Sequence, residues 1–174
     1  MSETASTALS LSRFLLRLGV FLNLAAGAIL IALLAFSFIA AGPVEQHITA
    51  SGRPGADGAR LLPILRTWVV LALPAVAAAH VMLTRALQIL RAVREGRAFV
   101  AENAARLRVI AWCLLVIQVL HIGYGVIAHL ATANRLPMDW SLSLTGWLGV
   151  LLLFVLASVF DEGVRMRTDL EAMI

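Results

Sequence analysis

Four long apolar runs alternate with short polar segments along the chain. Gly19 to Ala41 is broken only by Asn23 and Ser37, and Ile64 to about Leu87 holds Pro74 and His80. Val109 to Ala131 holds Gln118, His121 and His129, and Leu142 to Phe160 completes the set. A helix needs about 20 apolar residues to cross the hydrocarbon layer, and each run meets that length. The pattern predicts an all-α integral membrane protein with a single domain. Four transmembrane helices form an antiparallel bundle, with spans near 14–41, 64–88, 107–131 and 142–160. Loops 42–63 and 132–141 lie on one side; a connection, 89–106, and a tail, 161–174, lie on the other. The first run far exceeds the roughly 7–15 residues of a signal-peptide core, so it reads as a retained helix.

Arginine placement predicts the orientation. Arg13 and Arg17 precede the first span; Arg85, Arg91, Arg94, Arg97, Arg106 and Arg108 flank the connection; Arg165 and Arg167 follow the last span. The other side holds Arg53, Arg60, Arg66 and Arg135. Basic residues concentrate in cytoplasmic segments, which places both termini in the cytoplasm.

Composition agrees. Hydrophobic residues make up 61% of the chain and charged residues 14%, against roughly a quarter charged in soluble domains. A net charge of +4 is too weak to argue for nucleic acid, and no direct nucleic-acid binding is expected. The single cysteine, Cys113, permits neither an internal disulfide nor a cysteine metal cluster. No nucleotide-binding glycine loop, H-E-x-x-H or G-x-S-x-G is present, so no enzymatic activity, cofactor or metal is expected.

The loop from Gly42 to Pro63 is rich in glycine and proline and reads as irregular. Pro63 suits the first turn of the second span. Pro74 removes the bond to the Val70 carbonyl and predicts a kink. Trp68, Trp112, Trp140 and Trp147 fall towards helix ends, as interfacial anchors do.

The connection is more than a run of charge. Gly96 is a helix stop, and Asn103 is an N-cap for the third span. Phe99 and Val100, between them, have no reason to face water and are expected to tuck against the bilayer interface or the end of the bundle. The run G-x-x-F-x-x-E-N-x-x-x-L-R (Gly96, Phe99, Glu102, Asn103, Leu107, Arg108) resembles the signature of a bacterial membrane-protein family catalogued as domain of unknown function 2975. V-F-x-E-G (Val159, Phe160, Glu162, Gly163) and the D-L-E of the tail (Asp169, Leu170, Glu171) extend the resemblance over nearly the whole chain. It implies a small inner-membrane protein without an assigned activity, encoded in some members beside a small helix-turn-helix transcription regulator. It assigns no catalytic residue.

Polar groups inside a membrane are costly and are site candidates by default. At about 1.5 Å per residue, His80 and Gln118 lie at similar depth, so a hydrogen bond between them is expected. Asn23 reaches the edge of the same layer, and His121 shares a helix face with Gln118. Asn23, His80, Gln118 and His121 form either a polar pocket for a small ligand, haem or a proton, or polar glue between helices. No carboxylate accompanies them in the membrane. Gly19, Asn23 and Gly27 recur every four residues, a close-packing signal within the bundle or for a homodimer.

In the tail, Met166, Leu170, Met173 and Ile174 share one helical face, and Asp161 can pair with Arg165. That face either packs under the bundle or docks a partner. The leading expectation is a non-enzymatic regulator or scaffold. It would engage a small DNA-binding regulator through Phe99, Val100, Glu102, Asn103, Met166 and Leu170. The alternative is a small transporter or ligand-binding protein using the buried layer.

Overall fold

The computed structural model describes residues 3–51, 57–133 and 140–171. Among them the regular structure is entirely helical: α1 (Glu3–Ile39), α2 (Ala41–Ala50), α3 (Gly58–Arg94), α4 (Ala101–Ala133) and α5 (Leu144–Glu171). All but α2 hold a stretch long and apolar enough to cross a membrane. α1, α3 and α4 have 37, 37 and 33 residues. That is about 50–55 Å at 1.5 Å per residue, well beyond a hydrocarbon layer of roughly 30 Å, so their polar ends project from it.

Sequential long helices run antiparallel. On the α1–α3 seam Ser37 meets Arg66, Gly27 meets Val76 and Gly19 meets Leu83. On the α4–α5 seam Arg108 meets Asp161, Trp112 meets Phe154 and Gln118 meets Gly146. The stripe of Gly19, Asn23 and Gly27 is thereby an internal seam: a Cβ added at Gly19 or Gly27 would meet Leu83 or Val76 at 3.5 or 3.2 Å.

The antiparallel helices are arranged as an open row. α1 packs on α3, α3 on α4 and α4 on α5. Among the described residues α1 approaches neither α4 nor α5, and α3 does not approach α5. No residue in the most apolar stretch of α1 is buried. The physical reason is the solvent: lipid tails are as apolar as leucine, so no hydrophobic force drives the row to close. The small buried core lies along α3, α4 and α5, where Leu62, Ala104, Ala111 and Ala157 are almost wholly covered.

Two expectations for the 42–63 segment need correction. It is not irregular throughout: α2 forms because Gly42 and Pro43 occupy its first turn, where proline's missing N–H has no helical partner. Nor does Pro63 open a helix. α3 starts at Gly58 with Asp57 as its N-cap, the carboxylate accepting from Ala59 N at 3.1 Å, and Pro63 and Pro74 both lie inside it. Gly58 packs so closely on α2 that its N–H donates to Thr49 Oγ1 at 3.1 Å.

Candidate functional site

At the end of the row where α3 turns into α4, α5 packs against the connection through Phe160 and Gly163. α3 stops as expected. Gly96 takes φ +73°, a left-handed conformation natural to glycine. Arg97 N donates to Ala92 O at 2.9 Å and Gly96 N to Val93 O at 3.1 Å, the paired bonds that close a helix C-terminus.

The start of α4 differs from expectation. Asn103 is not its N-cap. The backbone of Val100 takes that place, its carbonyl accepting from Asn103 N at 2.9 Å. Asn103 is the third residue of α4 and fully buried. Its Nδ2 donates to the carbonyls of Arg97 and Ala98 at 3.1 and 2.9 Å, and its Oδ1 accepts from Arg106 Nη1 at 2.7 Å. A side chain that meets two carbonyls and a guanidinium must be both donor and acceptor, which only an amide supplies. Asn103 therefore ties the turn to the helix, a role that N-cap rules do not describe.

Phe99 does tuck against the end of the row. Its ring stacks on Phe160 with centroids 5.2 Å apart, and it lies over Gly163, where an added Cβ would meet Phe99 Cδ1 at 3.2 Å. Half of it remains exposed. Arg108 pairs with Asp161 across the α4–α5 seam, so the Asp161–Arg165 pair expected within the tail gives way to one between helices. α5 runs on unbroken into the tail, with Met166 exposed. The side chain of Leu170 and residues Met173 and Ile174 lie outside the described residues. Val100 and Glu102 line a cavity between α3 and α4.

The polar layer inside the membrane is not gathered into one pocket. Asn23 Nδ2 donates to Val76 O at 3.1 Å. Gln118 is buried, presses on Gly146 and points its amide nitrogen at Ser143 O, 3.4 Å away. The expected His80–Gln118 bond does not form among the described residues, and His80 Nδ1 is buried without a partner. His121 sits in an aromatic group. Its ring lies 5.7 Å from Trp140 and 6.4 Å from Tyr124, which stacks on Trp68 at 4.4 Å. Trp140 Nε1 donates to His121 O at 3.0 Å. Each amide thus goes to a backbone carbonyl, as interhelical glue does. His80→Leu is accordingly expected to leave the unfolding free energy unchanged or raise it by about 1 kcal/mol, because it removes an unsatisfied buried nitrogen. Unfolding in mixed micelles measures this, and a clear loss would mean that the imidazole has an essential partner.

Sequence reasoning missed one clamp. Arg66 lies two turns inside α3 rather than in the loop. Its Nε donates to Ser37 Oγ at 3.2 Å, its Nη2 to the Ser37 carbonyl, and its guanidinium lies 4.1 Å above the Phe38 ring. The signal available was an arginine within an apolar helix, which needs acceptors close by.

The profile described as Protein of unknown function (DUF2975) matches residues 43–174. The chain belongs to this family. No curated protein and no solved structure matches it. The DUF2975 match takes in the connection and α3 to α5, and leaves α1 outside. The signature residues have local explanations here: Gly96 makes the left-handed turn, Phe99 docks it on α5, and Asn103 ties it to α4.

Proposed function

We propose that this DUF2975 protein is a non-enzymatic scaffold of the bacterial cytoplasmic membrane that holds a cytoplasmic protein at its connection end. The excess of arginine at that end supports an orientation with both termini inside. The observation that carries the reading is Phe99. A half-exposed aromatic ring seated on Phe160 and Gly163 unites the connection and the extended α5 in one ordered platform. Aromatic residues supply large contact area at small entropic cost, which suits a binding surface. A small helix-turn-helix regulator is the partner that the family resemblance suggests.

Affinity capture from crosslinked native membranes, read by mass spectrometry, tests this. Phe99→Ala is expected to reduce capture of a small DNA-binding protein at least ten-fold, while His80→Ala leaves it intact. An eluate of lipids and unrelated membrane proteins alone would sink the reading. A second reading, a small transporter or ligand-binding protein, draws on the unpartnered His80 Nδ1. It requires His80→Ala, and not Phe99→Ala, to abolish activity.

A further inference from the structure

The cavity between the end of α3 and the start of α4 is open to the surface and has a volume of about 450 Å³. Arg85, Arg91, Arg97 and Arg106 line it, together with Gln88, Glu95 and Glu102. Four cations face two carboxylates. Among the described residues only Arg97 is matched in an ion pair, by Glu95. Arg85 Nη1 donates to the amide oxygen of Gln88 at 3.1 Å, and Arg106 Nη1 to that of Asn103 at 2.7 Å. An amide oxygen orients a guanidinium without cancelling its charge, so both keep donors and charge for another acceptor. The Arg106 support is rigid, because Asn103 is fully buried and tied to Arg97 O and Ala98 O. Arg91 makes no ion pair among the described residues.

The position is equally specific. Arg85 lies near the end of the apolar run of α3, and Arg91 lies about 9 Å further along the helix axis. The cavity therefore spans the height at which the hydrocarbon layer gives way to headgroups and water. Guanidinium forks match the oxygens of a phosphate group.

We propose that this cavity binds a phosphate group, held by Arg85 and Arg106 from opposite helices with Arg91 beside them. The phosphate belongs either to an anionic glycerophospholipid or to free phosphate in solution. In either case it bridges α3 and α4 at the connection. The proposal does not rest on the protein partner: Phe99, which carries that reading, lies on the α5 side, while Val100 and Glu102 line the cavity.

The test uses the full chain in nanodiscs. In one arm, discs of phosphatidylcholine with phosphatidylglycerol are analysed by native mass spectrometry. In the other, inorganic phosphate is titrated into phosphatidylcholine discs while thermal unfolding is followed. Enrichment of phosphatidylglycerol by roughly ten-fold, as expected for a charge-assisted pair of contacts, identifies a lipid headgroup. Stabilisation by millimolar phosphate with no lipid enrichment identifies the free anion. Whichever effect appears is expected to vanish in Arg85→Gln/Arg106→Gln and persist in Arg165→Gln, which removes an arginine outside the cavity. Should the double variant fold poorly, Gln88→Glu places a carboxylate against Arg85 and is expected to abolish the effect by supplying the anion internally. The proposal is overturned if neither arm responds, or if the response survives in the double variant and in Gln88→Glu.

Discussion

Replacing Asn103 with alanine is expected to lower the unfolding free energy by roughly 2–3 kcal/mol, the cost of leaving buried hydrogen-bonding groups unmet. Two carbonyls, of Arg97 and Ala98, lose their donor at once, and Arg106 loses the oxygen that orients it. Water reaches the exposed Arg97 side of the turn more readily than the covered side, which keeps the total below the sum of three separate losses. Asn103→Asp separates the parts. A carboxylate retains Arg106 but turns lone pairs towards both carbonyls, so it is expected to be no better than alanine. Unfolding in mixed micelles reads the global cost. Hydrogen exchange over residues 97–100 reads the local one, with protection falling at least ten-fold. Unchanged exchange in Asn103→Ala would show that the turn is held by something else, with the stacking of Phe99 on Phe160 the first alternative.

The second large effect is expected at Gly58. A methyl group there would run into the backbone of Glu45, with the Cα and carbonyl carbon of that residue only 2.7 Å away and its oxygen closer still. Backbone atoms cannot rotate out of the way. Gly58→Ala should therefore cost about 1–3 kcal/mol, the usual penalty for overpacking, or detach α2 from α3. Gly146 provides the contrast. The atoms nearest to a Cβ there are all in the amide end of Gln118, with Cδ at 2.5 Å, and that end can swing aside. Gly146→Ala is expected to stay within about 1 kcal/mol of the parent. Denaturation of both variants, with hydrogen exchange across residues 41–51, distinguishes a global loss from a detached α2. Equal effects at the two sites would contradict the distinction between rigid and flexible neighbours.

The four spans were legible because twenty apolar residues in a row have few alternative explanations. The stop at Gly96 was legible because its cause is local: only the residue itself has to adopt positive φ. Asn103 was misplaced for the opposite reason. An asparagine before a helix and one three residues into it look alike in sequence, and the carbonyls that decide between them belong to Arg97 and Ala98, fixed only once the turn has closed. α2 was hidden because glycine and proline count against a helix everywhere except in its first turn, which is where Gly42 and Pro43 sit. The polar layer failed as a unit because depth along a helix is readable and azimuth is not. His80 and Gln118 are at similar depth by residue count, yet the Gln118 amide turns to Ser143 and Gly146. The cavity of Arg85, Arg91 and Arg106 was present in the sequence only as a charge surplus, which topology already explained.

The open row also orders events in time. Each long helix packs on the long helix made before it, and none waits for a later segment to complete an earlier contact. A ribosome delivering this chain therefore releases each span to a surface already in place. Contacts stay local along the chain, the condition under which folding is fast and misassembly has few openings. The order of packing is the order of synthesis, and α5 is the last piece set down at an edge that α4 leaves ready for it.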